Sequence, residues 1–245
     1  NDDQALWGVY ASGGAEMLPF GAIDLYYLGF KDDAGTFVQG TARERRHSIG
    51  ARFHGEDRGW DWNWEAVYQF GTFGDGSIQA WTLASDTGFT FSGLPWRPRL
   101  ALSANVASGD GDPDNEDLGT FNPLFPRGNY FSEAAVLGPR NFFNLHPFLT
   151  VSPTDRWSLT TDVNFFWRLE TEDGVYAPAG QIIRAPGGSD QRFVGSAISL
   201  ASEYALAENL VFTAIYTHFF AGDFIRATGP SEDIDFFELT VQFRF

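Results

Sequence analysis

A chain of 245 residues with 25 Phe, 8 Trp, 8 Tyr and no Cys has room for one large β domain and carries no disulfide framework. Its net charge of −16 opposes nucleic-acid binding through phosphates. Its mean hydropathy is −0.21, and no run of about 18 apolar residues exists, so a transmembrane helix is excluded, though a membrane β-barrel is not.

In chain order, eleven stretches read as strands: 4–12, 20–30, 45–55, 60–70, 78–91, 98–107, 143–151, 157–169, 194–206, 209–221 and 234–245. Several alternate strictly, which is the mark of a strand with one apolar face. In the fourth, Trp60, Trp62, Trp64, Ala66, Tyr68 and Phe70 oppose Asp61, Asn63, Glu65 and Gln69. In the sixth, Leu100, Leu102, Ala104 and Val106 oppose Arg99, Ser103 and Asn105. In the eighth, Trp157, Leu159, Val163, Phe165 and Trp167 oppose Ser158, Asp162, Asn164 and Arg168. Aromatics gather near strand ends, as in the interfacial girdles of a membrane barrel, whereas a soluble sandwich buries them mid-strand.

The connections sharpen this reading. Those at 13–19, 55–59, 92–97, 152–156 and 206–209 are short, while 31–44, 108–142, 170–193 and 223–233 are long. The short 71–77 connection is the exception that falls among the long ones. Long external loops alternating with tight periplasmic turns describe an outer-membrane barrel. The last strand fits: Phe237, Leu239, Val241, Phe243 and Phe245 face one way, Glu238, Gln242 and Arg244 the other. The expected fold is therefore all-β, a single antiparallel transmembrane β-barrel domain over 1–245. Eleven is odd, and an open sheet edge in lipid leaves unpaired backbone groups. Strands upstream of Asn1 are accordingly expected to complete the barrel.

Strand parity sends Arg46, Arg52, Arg99, Arg168 and Arg244 to the polar face, beside Asp24, Asp61, Glu65, Asp162, Glu203 and Glu238. Such Arg residues either brace the wall through salt bridges or meet solute. All but Lys31 of the 16 cations are Arg, whose planar fork suits carboxylates. The 108–142 connection carries Arg127 and Arg140 together with Pro123, Phe125, Pro126, Tyr130 and Phe131, so it is expected to pack, either folded into the lumen or as an external cap. Within it, Asp110, Asp112, Asp114 and Asp117 stand at a spacing that offers Ca²⁺ a loop, without the EF-hand pattern; a solvated acidic tip is the other reading. His47, His54, His146 and His218 show no metal-ligand spacing, and the G-x-S-like patterns lack a strand–turn–helix context, so no enzyme is expected.

The segments LWGVYASG, RRHSIGARFHG, WDWNWEAVYQFGTFG, TFNPLFPRGNYF and THFFAGDFIRATGPSEDIDF resemble, in order, the C-terminal part of the alginate-export family of outer-membrane barrels. The resemblance implies a larger barrel in the bacterial outer membrane, passively exporting an acidic polysaccharide through an Arg-lined lumen. Its partners would be outer-membrane lipid, lipopolysaccharide, the anionic saccharide solute and, during biogenesis, the barrel-assembly machinery. The mixture of Arg and carboxylates departs from a purely positive conduit. Two alternatives therefore stand beside the anionic channel: a general porin for small solutes, and a plugged structural or adhesive barrel presenting its loops to a partner. A lumen filled by Phe166, Phe236 and Tyr26 with an inward loop would mark the plugged form.

Overall fold

The computed structural model describes residues 3–14, 20–125, 131 and 133–245. All eleven expected strands are present. They are β1 (Gln4–Gly13), β2 (Ala22–Phe37), β3 (Gly40–Asp57), β4 (Trp60–Phe73), β5 (Gly76–Thr90), β6 (Arg99–Ala107), β7 (Phe142–Thr154), β8 (Trp157–Trp167), β11 (Phe193–Ala207), β12 (Leu210–Ala221) and β13 (Ile234–Phe243). Two short strands, β9 (Val175–Tyr176) and β10 (Ile182–Arg184), form a separate hairpin, and a six-residue helix α1 spans Asp223–Thr228. The eleven long strands make one antiparallel sheet in sequential order, with β8 pairing β11 across the inserted hairpin. Among the described residues, β1 and β13 are its two edges.

The alternation seen in sequence becomes two chemically different faces. On one, Val9, Leu25, Ile49, Tyr68, Leu83, Leu102, Leu200 and Leu239 are all exposed. An apolar surface of this extent marks an interface with a membrane or another protein, and the membrane barrel expected from the sequence supplies the first. Aromatic clusters bound it at both ends. Trp60 packs on Phe89 and Phe89 on Phe91 at the tight-turn end. At the other end, Phe143 stacks on Trp167 and Tyr68 on Phe70. From Trp60 to Phe70 a strand runs roughly 34 Å, or about 25 Å upright at a barrel's usual tilt, which is the height of a membrane barrel's apolar band.

The other face is polar and, at the end bearing the long connections, covered. The 108–141 segment folds back over it. Leu118 makes a parallel bridge to Ile78, with Gln79 N donating to Leu118 O at 3.1 Å and Leu118 N to Ser77 O at 2.8 Å. The core lies there, built from Phe37, Phe73, Leu118, Phe121, Phe131, Phe142, Phe166, Tyr176, Phe219 and Phe224. Of the two expected placements of this loop, the structure shows the inward one.

One expectation is corrected. The 31–44 connection is no long loop: β2 and β3 continue past the membrane band and turn at Val38–Gln39. The acids Asp32 and Glu44 within this stretch sit directly opposite one another in the ladder. A bulge between Asp32 and Gly35 absorbs the irregularity, with Ala34 N donating to Asp32 Oδ1 at 2.9 Å.

Candidate functional site at the long-loop end

The site begins with Glu44 and Arg46, two residues apart on β3 and so on the same covered face. Arg46 stands opposite Gly71, whose φ of +146° and close approach to Arg45 O leave no place for a Cβ. Free of a side chain across from it, the guanidinium lies along the wall. Its Nε donates to Glu44 Oε1 at 2.5 Å, and its Nη1 to Gln69 Oε1 at 2.7 Å and to Thr120 O at 3.1 Å. Both members of the pair are essentially inaccessible to water. A buried ion pair is tolerable only where further hydrogen bonds satisfy it. The loop supplies them: Asn122 Nδ2 donates to Glu44 Oε1 at 3.1 Å, and Asn122 N to Gln69 Oε1 at 2.9 Å.

Arg140, at the end of the same loop, is the second cation here. Its Nη2 donates to Asn122 Oδ1 at 2.7 Å. Its guanidinium lies 5.1 Å from the Phe37 ring centroid, and that of Arg46 lies 5.6 Å from the same ring. Burial pushes Arg140 down to about 10, with Glu44 acting in the opposite sense, so the cation survives at neutral pH. Arg140 Nε and Arg46 Nη2 have no hydrogen-bond partner among the described residues.

A second knot holds the 108–141 loop to the 168–192 connection. The buried Asp173 accepts from Thr120 Oγ1 (2.6 Å), Tyr176 OH (2.6 Å), Gly174 N (2.7 Å) and Asp110 N (3.0 Å). Burial raises its carboxyl above the ordinary range despite these donors. The Tyr176 hydroxyl is likewise raised, by burial first and by the Asp173 charge.

The other expected residues divide. Arg168 is a bracket, not a solute contact: it donates to the carbonyls of Thr171, Asp173, Ser189 and Gln191, and its guanidinium lies 3.8 Å from the Phe224 ring centroid. Those carbonyls close the turn of the connection, which is why the side chain is buried. Arg99 forks onto Asp61 and also reaches Asp86 at 3.0 Å. Arg52 donates to Asn63 Oδ1 at 2.6 Å, lies 3.7 Å from Asp24 and stays partly open to water. Among the described residues, the Arg244 side chain reaches only Gln242 Oε1, at 3.1 Å. Arg127 lies outside the described residues.

The Ca²⁺ reading of the acidic tip is corrected. Asp110 accepts from Asp112 N and Gly119 N, and Asp117 from Ser77 N and Oγ. Those contacts hold Asp117 below the ordinary carboxylate range. Both carboxylate oxygens of Asp110 and one of Asp117 are taken up by these donors, and among the described residues no group of three or more acidic, His or Cys side chains could hold a metal.

Two cavities border this assembly. One of about 740 Å³ opens between the β2–β3 hairpin and the two loops, lined by Phe37, Glu44, Asn122, Leu124, Arg140 and Gln181. The other, about 200 Å³, lies on the polar wall and is lined by Asn63, Glu65, Asp86, Ser103, His146 and Phe131. A barrel-type sheet with an apolar band, a polar face and an inward loop at one mouth is channel architecture. The family model described as alginate export matches residues 1–237. The chain belongs to the alginate-export family. No curated protein matches it. Membership makes this alginate-export protein one of a transport family, an outer-membrane channel of the alginate-export type.

Gln69, Thr120, Asn122, Asp173 and Tyr176 were not singled out as a site from sequence. The i, i+2 spacing of Glu44 and Arg46 on one strand face was a local signal of the cluster, whereas the loop residues Thr120 and Asn122 meet the wall across 53 to 78 positions.

Proposed function

We propose that this alginate-export protein is a passive diffusion channel of the bacterial outer membrane for anionic saccharides, with the 108–141 loop as its constriction and no catalytic step. The observation that carries this reading is Arg140. It is a retained cation on the lining of the larger cavity, and its buried Nε has no hydrogen-bond partner among the described residues. A uronate carboxylate entering this cavity can pair with the guanidinium that borders it, and the Phe37 ring behind it resembles the apolar platforms on which sugar faces rest. Arg52, partly exposed further along the wall, provides a second contact. Selectivity then comes from pore width and charge placement, with no energy source.

The two edge strands enter the same reading. In hydrocarbon, unpaired backbone groups cost several kcal/mol each. β1 and β13 are thus taken to be covered by strands beyond these eleven. In a bilayer their amides should exchange as slowly as those of β4; fast exchange at either edge contradicts closure.

Arg140→Ser tests the conduit. Block of the open channel by oligouronate should weaken about tenfold, corresponding to the loss of one charge-assisted hydrogen bond, with block by neutral oligosaccharide unchanged. Equal block in both variants removes Arg140 from the path.

One observation favours a plugged barrel instead. Phe131 of the loop packs on Phe142 and Phe166, and Phe166 on Phe219, filling part of the polar face with aromatic rings. That reading requires the absence of steady conductance.

A further inference from the structure

The outward face of the β2–β3 hairpin carries a feature that the channel does not use. Lys31 and Arg45 stand directly opposite one another in the ladder. Two like charges in a cross-strand pair repel and destabilise the sheet. Arg43, two residues further along β3, faces the same way. Lys31 Nζ lies 3.0 Å and Arg43 Nε 3.1 Å from the carboxylate of Asp33, so these two cations share one partner. Arg45 is exposed and makes no ion pair among the described residues. Clustering three cations here is unexpected in a chain with 16 cations against 32 acids.

What lies along the strand from this cluster tells what it meets. Ile49 is exposed on the apolar band. Next on the same face comes His47, stacked on Tyr27 and Phe70, with Tyr27 OH 2.7 Å from His47 Nδ1. Trp7 closes this girdle, its indole seated over Gly29, where a Cβ would collide with the ring. Arg45 and Arg43 follow. Over six residues, roughly 20 Å of strand, the face passes from apolar to aromatic to cationic. A lipid monolayer presents the same order as acyl chain, interface and phosphate.

We propose that Lys31, Arg43 and Arg45 form a docking site for the phosphate of a phosphorylated glycolipid, the lipid A portion of lipopolysaccharide. The proposal rests on the outer-membrane reading and on the mouth with the long connections facing outward. An arginine fork takes two phosphate oxygens at once. A phosphate between Lys31 and Arg45 turns their repulsion into shared attraction, while acyl chains lie on Trp7, Tyr27 and Ile49. The commitment is to this lipid because its phosphates lie fixed at the level of the glycan headgroup, where the patch stands above the girdle.

The test uses the protein reconstituted in nanodiscs, with diphosphorylated lipid A as probe and dephosphorylated lipid A and phosphatidylglycerol as comparators. Binding is read by native mass spectrometry and by fluorescence titration. The wild type should retain diphosphorylated lipid A at least about tenfold more tightly than either comparator. The variant K31S/R43S/R45S should lose that preference, and R43K/R45K, which keeps the charges without the forks, should fall between. Equal binding of phosphatidylglycerol, or an unchanged preference in the triple variant, overturns the site. Thr72, which pairs with Arg45 on β4, provides a control position: T72S should bind as the wild type does. Heat-modifiable migration and strand amide protection are measured on every sample. Protein that inserts yet shows no preference refutes the patch alone; protein that never takes up a bilayer refutes the membrane reading beneath it.

Discussion

Gln69 and Asn122 clasp each other twice: Asn122 N donates to Gln69 Oε1 at 2.9 Å, and Gln69 Nε2 donates to Asn122 O at 2.7 Å. A side chain of the wall thereby does for the loop what a neighbouring strand would do, satisfying both backbone groups of one residue in a buried place. Gln69 Nε2 also donates to Ser48 Oγ at 3.1 Å, so the clasp is tied to β3. Gln69→Leu should leave these backbone groups unsatisfied at a cost of about 1–3 kcal/mol. The expected result is faster amide exchange through 118–124 and a noisier, larger conductance, with the exchange of β4 itself unchanged. Identical exchange in both proteins means the loop is held by its apolar contacts instead.

The Glu44–Arg46 pair predicts a non-additive stability effect. Removing one partner strands a buried charge, at about 3–5 kcal/mol, whereas removing both leaves only polar gaps. Arg46→Met should therefore lower the thermal midpoint more than Arg46→Met combined with Glu44→Gln. Melting in detergent, followed by circular dichroism, checks this. Additive losses mean the pair is not electrically isolated.

Asp173 gives the site a pH dependence whose sign follows from its burial. Its folded-state carboxyl titrates above its unfolded value, so the folded, docked form binds the proton more tightly. The contribution is fully present below the ordinary carboxylate value and is lost as pH rises through the raised one. Mild acid should therefore steady the contact between the 108–141 loop and the β9–β10 hairpin, lowering open-channel noise as pH falls from neutral. Asp173→Asn, which holds the neutral form, should flatten that profile. A profile that persists in the variant assigns it to another group.

Arg99 bears on ion selectivity. It neutralises Asp61 and Asp86 on the polar wall, and its guanidinium lies 5.1 Å from the Phe148 ring centroid. Arg99→Ser should leave two carboxylates facing the path and move the reversal potential toward cation preference in a salt gradient. An unchanged potential places this trio outside the conducting path.

Much of the fold was legible because a membrane strand repeats every two residues and one face must be apolar throughout. The Trp60–Phe70 run shows this, its six even-numbered residues facing outward as the alternation dictates. The extension of β2 and β3 was not legible, because beyond the bilayer that constraint ends and Asp32 and Glu44 are free to be polar while still paired. The site was half legible. Parity placed Arg46, Arg52 and Arg99 on the polar face, yet could not tell a buried bracket such as Arg168 from a partly open side chain such as Arg52. That difference depends on which distant loop covers which strand, and Thr120, Asn122 and Asp173 meet the wall through contacts with no local periodicity to announce them.

Single-channel conductance of the barrel in a planar bilayer, with polyuronate and neutral dextran of equal size added in turn, decides whether its path is one for acidic saccharides. A channel for acidic saccharides gives steady conductance that polyuronate interrupts and dextran does not. Equal indifference to both polymers would contradict the acidic-saccharide path in favour of a general porin, and no conductance at all would contradict the channel itself.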